Sequence, residues 1–176
     1  MRYLAADSST LVLLAKCGLL EIVCELFKVV IAPSVADEVA SESMSRKYPD
    51  AALISFLISK GSITIQEPAG NKISIPLSLH QGERDTLLLA LNLAESLFAS
   101  DDGKAIKVAR FLSVPFIITP KMVDELFRLE RITFKKARQS MEKLCEIGRY
   151  SPEIIAGALA LLMEEKDGKA HNHKST

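Results

Sequence analysis

Tryptophan is absent from the 176 residues, aromatic side chains amount to 6%, and there are only three cysteines. So few aromatics leave few platforms on which bases can stack, and recognition by stacking is not visible in the sequence. Cys17, Cys24 and Cys145 form an odd set without the short spacing of a zinc knuckle. Each stands among apolar helical residues, where cysteine reads as a small hydrophobe, and the usage implies a reducing cytoplasm. An excess of one charge is lacking too. Lys+Arg and Asp+Glu both number 22, so no global field advertises a polyanionic partner. A local site stays open, because a bound metal ion carries its own positive charge. No apolar run reaches about 18 residues, and MRYLAADSST has no apolar stretch behind a basic cap. Neither a membrane span nor a signal peptide is expected. A glycine-flanked nucleophile elbow and a Gly-Lys phosphate loop are also missing, which argues against a serine hydrolase and a P-loop enzyme.

What is present is alternation. Tyr3–Ala6, Val29–Ile31, Ile63–Ile65, Leu97–Ala99 and Val114–Thr119 read as short buried strands. Between them lie helical patterns: two short helices broken at Gly18, one opened by Pro33 and fading near Ser43, and Ala51–Lys60. A long one follows from Gln81 to Glu95, then Gly103–Phe111. Ser45–Asp50 reads as a polar connection and Glu67–Pro76 as a loop. After Pro120 the pattern is all helix, over Lys121–Leu129, Thr133–Ile147 and Pro152–Glu165. Strand–helix alternation predicts an α/β fold, a parallel sheet with helices on both faces in three layers α/β/α, with extra C-terminal helices. We expect a single domain over 1–166 (core 3–120, C-terminal helices 121–166) and a polar tail, 167–176.

The acids fall where such a sheet binds ligands, at the carboxyl ends of strands. Asp7 ends the first strand, Glu38 lies one turn into the helix after the second, and Asp101 and Asp102 end the fourth. Glu83 and Asp85 add two in the first turn of the long helix. Crowded carboxylates repel one another unless a hard cation such as Mg²⁺ or Mn²⁺ sits between them. Taken singly each acid has a plainer reading: Asp7 and Asp102 as helix caps, Glu83 and Asp85 as charges at a positive helix end, Glu38 as a solvated residue. A shared site rests on their joint placement.

In order along the chain, YLAADSSTLVLLAKCGLLEIV, VVIAPSVADEVA, HQGERDTLLLALNL and LFASDDGKAIKVARFLSVPFIIT resemble the strands, turns and acid-bearing helices of the PIN-domain family. GRYSPEIIAGALALL is similar to the end of a prokaryotic branch that carries Gly-Glu before the third acid. The run Ile118-Thr119-Pro120-Lys121 departs from the glycine usual there. The resemblance implies a PIN-like α/β/α sandwich. It also implies Mg²⁺- or Mn²⁺-dependent endonucleolytic hydrolysis of single-stranded RNA in the cytoplasm, a toxin role with an antitoxin partner, and a homodimer. Carried over, Asp7, Glu38, Asp85 and Asp101 match the catalytic acids. Glu83 belongs to the Gly-Glu variant, and Asp102 stands beside Asp101 with either able to face a metal. Ser8 and Ser9 match the polar positions supporting the first acid. Arg84, Lys104 and Lys107 are candidate contacts to nucleic acid. The alternative is a PIN-like module, weakly active or inactive, that binds nucleic acid or protein. A phosphoacceptor receiver domain is disfavoured by Ile65-Gln66-Glu67, which lacks an acceptor aspartate after the third strand.

Overall fold

A computed structural model describes residues 1–70, 75–148 and 150–172. The chain divides into two compact units, 1–118 and 119–176. The first holds five strands: β1 (Tyr3–Ala6), β2 (Lys28–Ile31), β3 (Ile63–Ile65), β4 (Ser96–Ala99) and β5 (Phe116–Ile117). All pair in parallel in the order β3-β2-β1-β4-β5, and helices flank the sheet, as the alternation predicts. The helices of this unit are α1 (Ser8–Lys16), α2 (Leu20–Leu26), α3 (Pro33–Ala40), α4 (Glu42–Lys47), α5 (Pro49–Ser59), α6 (Gln81–Asn92) and α7 (Gly103–Phe111).

β1 sits at the centre, and its sequence suits the place. Leu4, Ala5 and Ala6 are all fully buried, the continuous apolar run expected of a strand covered on both faces. From β1 the chain winds outward to β2 and β3, then returns to place β4 on the other side. The order therefore reverses between β1 and β4, and the carboxyl ends of these two strands form the switch point at which open α/β sheets bind ligands in a crevice. The backbone N–H of Asp7 donates to the carbonyl of Ala99 at 3.0 Å and fixes the two strand ends side by side. Helix α6 packs against β1, β2 and β4, with Thr86, Leu87 and Leu89 buried.

The second unit is three mutually packed helices: α8 (Thr119–Arg128), α9 (Phe134–Ile147) and α10 (Pro152–Asn172). Phe127 and Phe134 meet edge to face, 5.9 Å between centroids. Buried Asp124 is answered by the Lys121 ammonium one turn earlier. Arg128 pairs with Glu125 and Arg138 with Glu142. No helix of the described residues is long and apolar enough to cross a membrane.

Several expected boundaries move. Residues 45–47, expected as connection, are helical in α4; that helix buries nothing, so it shows no apolar periodicity. Pro49 opens α5 instead of belonging to the loop before it, since proline is tolerated at the first helical position. The long helix ends at Asn92, and Glu95 turns the chain with φ 51°. The fifth strand is only Phe116–Ile117, because helix resumes at Thr119. α10 continues to Asn172, through the start of the expected tail; residues 173–176, and 71–74 of the expected loop, lie outside the described residues. Cys17 is buried, but Cys145 is exposed and no core hydrophobe. Burial, with Glu21 nearby, pushes the Cys24 thiol up to about 11.

Phe98, on the interior strand β4, is the largest fully buried side chain among the described residues. Phe98→Ala is expected to lower the unfolding free energy by about 3–5 kcal/mol in urea denaturation. A loss below about 1 kcal/mol would mean that β4 is not central to the core.

Candidate functional site

The first turn of α1 organises the crevice. Asp7 has extended backbone (φ −83°, ψ 172°) and caps the helix, its Oδ1 accepting from Thr10 N–H at 2.9 Å. This leaves Ser8, Ser9 and Thr10 in consecutive first-turn positions, pointing in three directions. The Ser8 hydroxyl donates to Glu38 Oε2. Ser9 Oγ donates to Asp7 Oδ1 at 2.8 Å. Thr10 Oγ1 donates to Asp101 Oδ2 at 3.2 Å. One tripeptide thus ties together acids that follow three different strands.

Asp7 is only 3% exposed. Burial raises its carboxyl to about 6, although hydrogen bonds from Ser100, Thr10 and Ser9 favour the charged form; the charge of Asp101 raises it further. One buried carboxylate beside a second is electrostatically uncomfortable, and desolvation is the larger part of that discomfort.

Glu38 is held between α1 and α6. A Cβ at Gly82 would lie 3.1 Å from Glu38 Oε1 and 3.3 Å from Val35 Cγ2, so glycine lets the carboxylate lie against the α6 backbone. Glu83 accepts from the backbone N–H of His80 at 3.0 Å. Its carboxyl is raised, first by desolvation, then by the charges of Asp102 and Glu38. Glu83 is therefore an electrostatic neighbour of both. Asp85 sits two residues along, and side chains two apart diverge on a helix. It accepts from Ser34 Oγ at 2.7 Å, at the contact of α3 with α6. Asp102 caps α7, its Oδ1 accepting from Lys104 N–H at 2.7 Å and Ala105 N–H at 2.8 Å. Asp101 and Asp102 thus diverge: the first turns to Thr10, the second to its own helix.

Arg84 meets neither flanking acid. Its guanidinium donates to the carbonyl of Leu79 at 3.1 Å, with Leu77 O farther off at 3.5 Å, and clasps the segment leading into α6. Lys104 and Lys107 lie exposed on α7. Ser34, Ser100, Gly82 and Thr10 are not among the site residues expected from the sequence. A hydroxyl beside each acid-bearing turn was the available clue.

The donor set is all oxygen, which suits Mg²⁺ or Mn²⁺. Among the described residues no three acidic, histidine or cysteine side chains converge closely enough to grip one ion. The fit is accordingly for a cation held by one or two carboxylates that keeps water on its remaining positions, the habit of Mg²⁺. A family model described as a PIN domain matches residues 4–164. No curated protein and no solved structure matches the chain.

A pH dependence follows from Asp7. Between about pH 4 and 6 the folded chain keeps a proton that the unfolded chain has released, so stability falls as pH rises through that window. Asparagine caps a helix as well as aspartate does. In EDTA, Asp7→Asn is expected to match the wild type near pH 3.5 and to exceed it by roughly 2–3 kcal/mol at pH 8. Urea denaturation at the two pH values checks this; a difference that does not change with pH would contradict a buried, costly charge.

Proposed function

The chain belongs to the PIN-domain family, and from that premise we propose that it is a divalent-metal-dependent endoribonuclease acting on single-stranded RNA. PIN domains are generally nucleases that use divalent metal. The observation that carries the reading is the meeting of Asp7 and Asp101 at the reversal of strand order, tied together by Thr10, whose N–H donates to Asp7 and whose hydroxyl donates to Asp101. In this reading Asp7 and Asp101 would hold Mg²⁺ or Mn²⁺, and Glu38, Glu83, Asp85 and Asp102 would act on it only through bound water. Glu83 is assigned the third acidic position ahead of Asp85, because it shares its electrostatic surroundings with Glu38 and Asp102. A bound cation supplies Lewis acidity, lowering the pKa of water and offsetting charge on the phosphoryl oxygens.

The chain's own residues do the rest. Asp7 would hold the cation as a carboxylate, the charged form whose burial cost a cation would offset. Ser8, Ser9 and Thr10 hold Glu38, Asp7 and Asp101 in fixed orientations, as groups behind metal ligands do. Asp102 orients α7 through its cap. No acid is assigned a covalent intermediate; the nucleophile is water.

The proposal extends to a cytoplasmic toxin of a toxin–antitoxin pair, assembled as a homodimer. Exposed Ile154, Leu161 and Met163 on α10 support a protein partner. A second reading, a PIN-like module that binds without turnover, is favoured by the failure of three acids to converge.

Purified protein with Mn²⁺ is expected to cut single-stranded RNA in a gel assay. Asp7→Asn combined with Asp101→Asn is expected to lower the rate by about a hundredfold or more, beyond the loss typical of residues behind the ligands. Ser8→Ala should cost about tenfold, felt as weaker metal dependence. Cleavage by the double variant at the wild-type rate would sink the assignment; binding without cutting under any metal would favour the second reading.

A further inference from the structure

A negative crevice repels the polyanion that the proposed reaction needs, so positive charge has to come from its flank. Helix α7 begins at that edge, capped by Asp102, and runs back along the sheet for about 12 Å to Phe111, ahead of the parallel strand β5. Lys104, Lys107 and Phe111 follow at spacings of three and four, which aligns them in one stripe. Both lysines are exposed, and among the described residues neither is ion-paired. Arg110 is turned off the stripe, its guanidinium 5.2 Å from the Phe116 ring centroid.

Phe111 ends the stripe and is 86% exposed. Phe56, also exposed, has the Lys60 ammonium over its ring; the Phe111 ring has no such cover among the described residues. Beside it lies a cleft of about 250 Å³ lined by Pro76, Lys107, Val108, Phe111 and Leu112. That is below the roughly 300–1,000 Å³ of pockets for drug-sized ligands, and leaves volume for a group the size of one ring.

We propose that the stripe Lys104–Lys107–Phe111 is a docking track for single-stranded RNA on one side of the cut, with the two ammoniums on phosphodiesters and the Phe111 ring stacked on one base. The assignment rests on the nuclease reading for its direction but on α7 alone for its chemistry. Charge selects this occupant over a second copy of the chain. An isologous interface centred on the stripe would bring like lysines together across the two-fold axis, whereas alternating phosphate and base answers ammonium and ring in turn. Stacking accepts any base, so the track binds without reading sequence.

The chain lacks tryptophan, which gives a clean test. Phe111→Trp installs a lone indole, whose fluorescence an eight-nucleotide oligouridylate should quench while affinity stays near that of the wild type. The full chain is titrated in EDTA with this oligomer and with an abasic oligomer of equal length. Phe111→Ala should weaken the oligouridylate about fivefold to a hundredfold and leave the abasic probe unchanged. Lys104→Gln with Lys107→Gln should weaken both probes and reduce the salt slope by about 1.4. The track is overturned if wild type binds no RNA, or if affinity is indifferent to Phe111 and both lysines. It is likewise overturned if Phe111→Ala dissolves a dimer in sedimentation with RNA affinity intact. Phe111-dependent binding without cleavage under any metal would sink the nuclease reading and spare the track. Cleavage with an unchanged KM in every variant would do the reverse.

Discussion

Everything in the site depends on a carboxylate placed where a carboxylate is least at ease. Asp7 follows a strand that must be apolar to sit at the centre of the sheet, and it is buried with it. Its charged form loses water and gains Asp101 as a neighbour, which together hold its carboxyl near 6. The hydroxyls around it reduce that cost without removing it. A cation would remove it, and no basic side chain is found to do so in its place among the groups that set this carboxyl.

The hydroxyls explain how such a site keeps its form. Glu38, Asp7, Asp101 and Asp85 each accept from a serine or threonine in the first turn of a helix. First turns already carry hydroxyl residues for capping, so the same positions that start the helices also orient the acids. Local folding signals and site geometry are satisfied together, with charge repulsion left as the price of function.

Much of this was legible in the chain. Tyr3–Ala6 stopping at Asp7, and LFA stopping at Ser100-Asp101, show buried strands ending in acids; with parallel topology they predict a shared edge. The partnerships were not legible. Thr10 and Asp101 are 91 residues apart, and Ser34 and Asp85 51; each depends on a strand order that only the folded sheet reveals. The need for glycine at position 82 shows only when Glu38 is seen against it. Arg84 reads as a candidate contact to nucleic acid until its carbonyl partners appear. Scarce aromatics argued against stacking, yet what matters is exposure, and Phe111 stands open at a helix end where periodicity says nothing about burial. Helix α4 was missed for a related reason: a helix polar all round has no apolar stripe to find.

The central claim is that the crevice between β1 and β4 takes a divalent cation through Asp7. Isothermal titration with Mn²⁺ near pH 6, in two buffers of different ionisation enthalpy, measures binding and proton release together. The structure leads us to expect Mn²⁺ binding with a proton released at pH 6, little release at pH 8, and neither in Asp7→Asn. Absence of binding, or equal binding to Asp7→Asn with no proton released from the wild type, would contradict it.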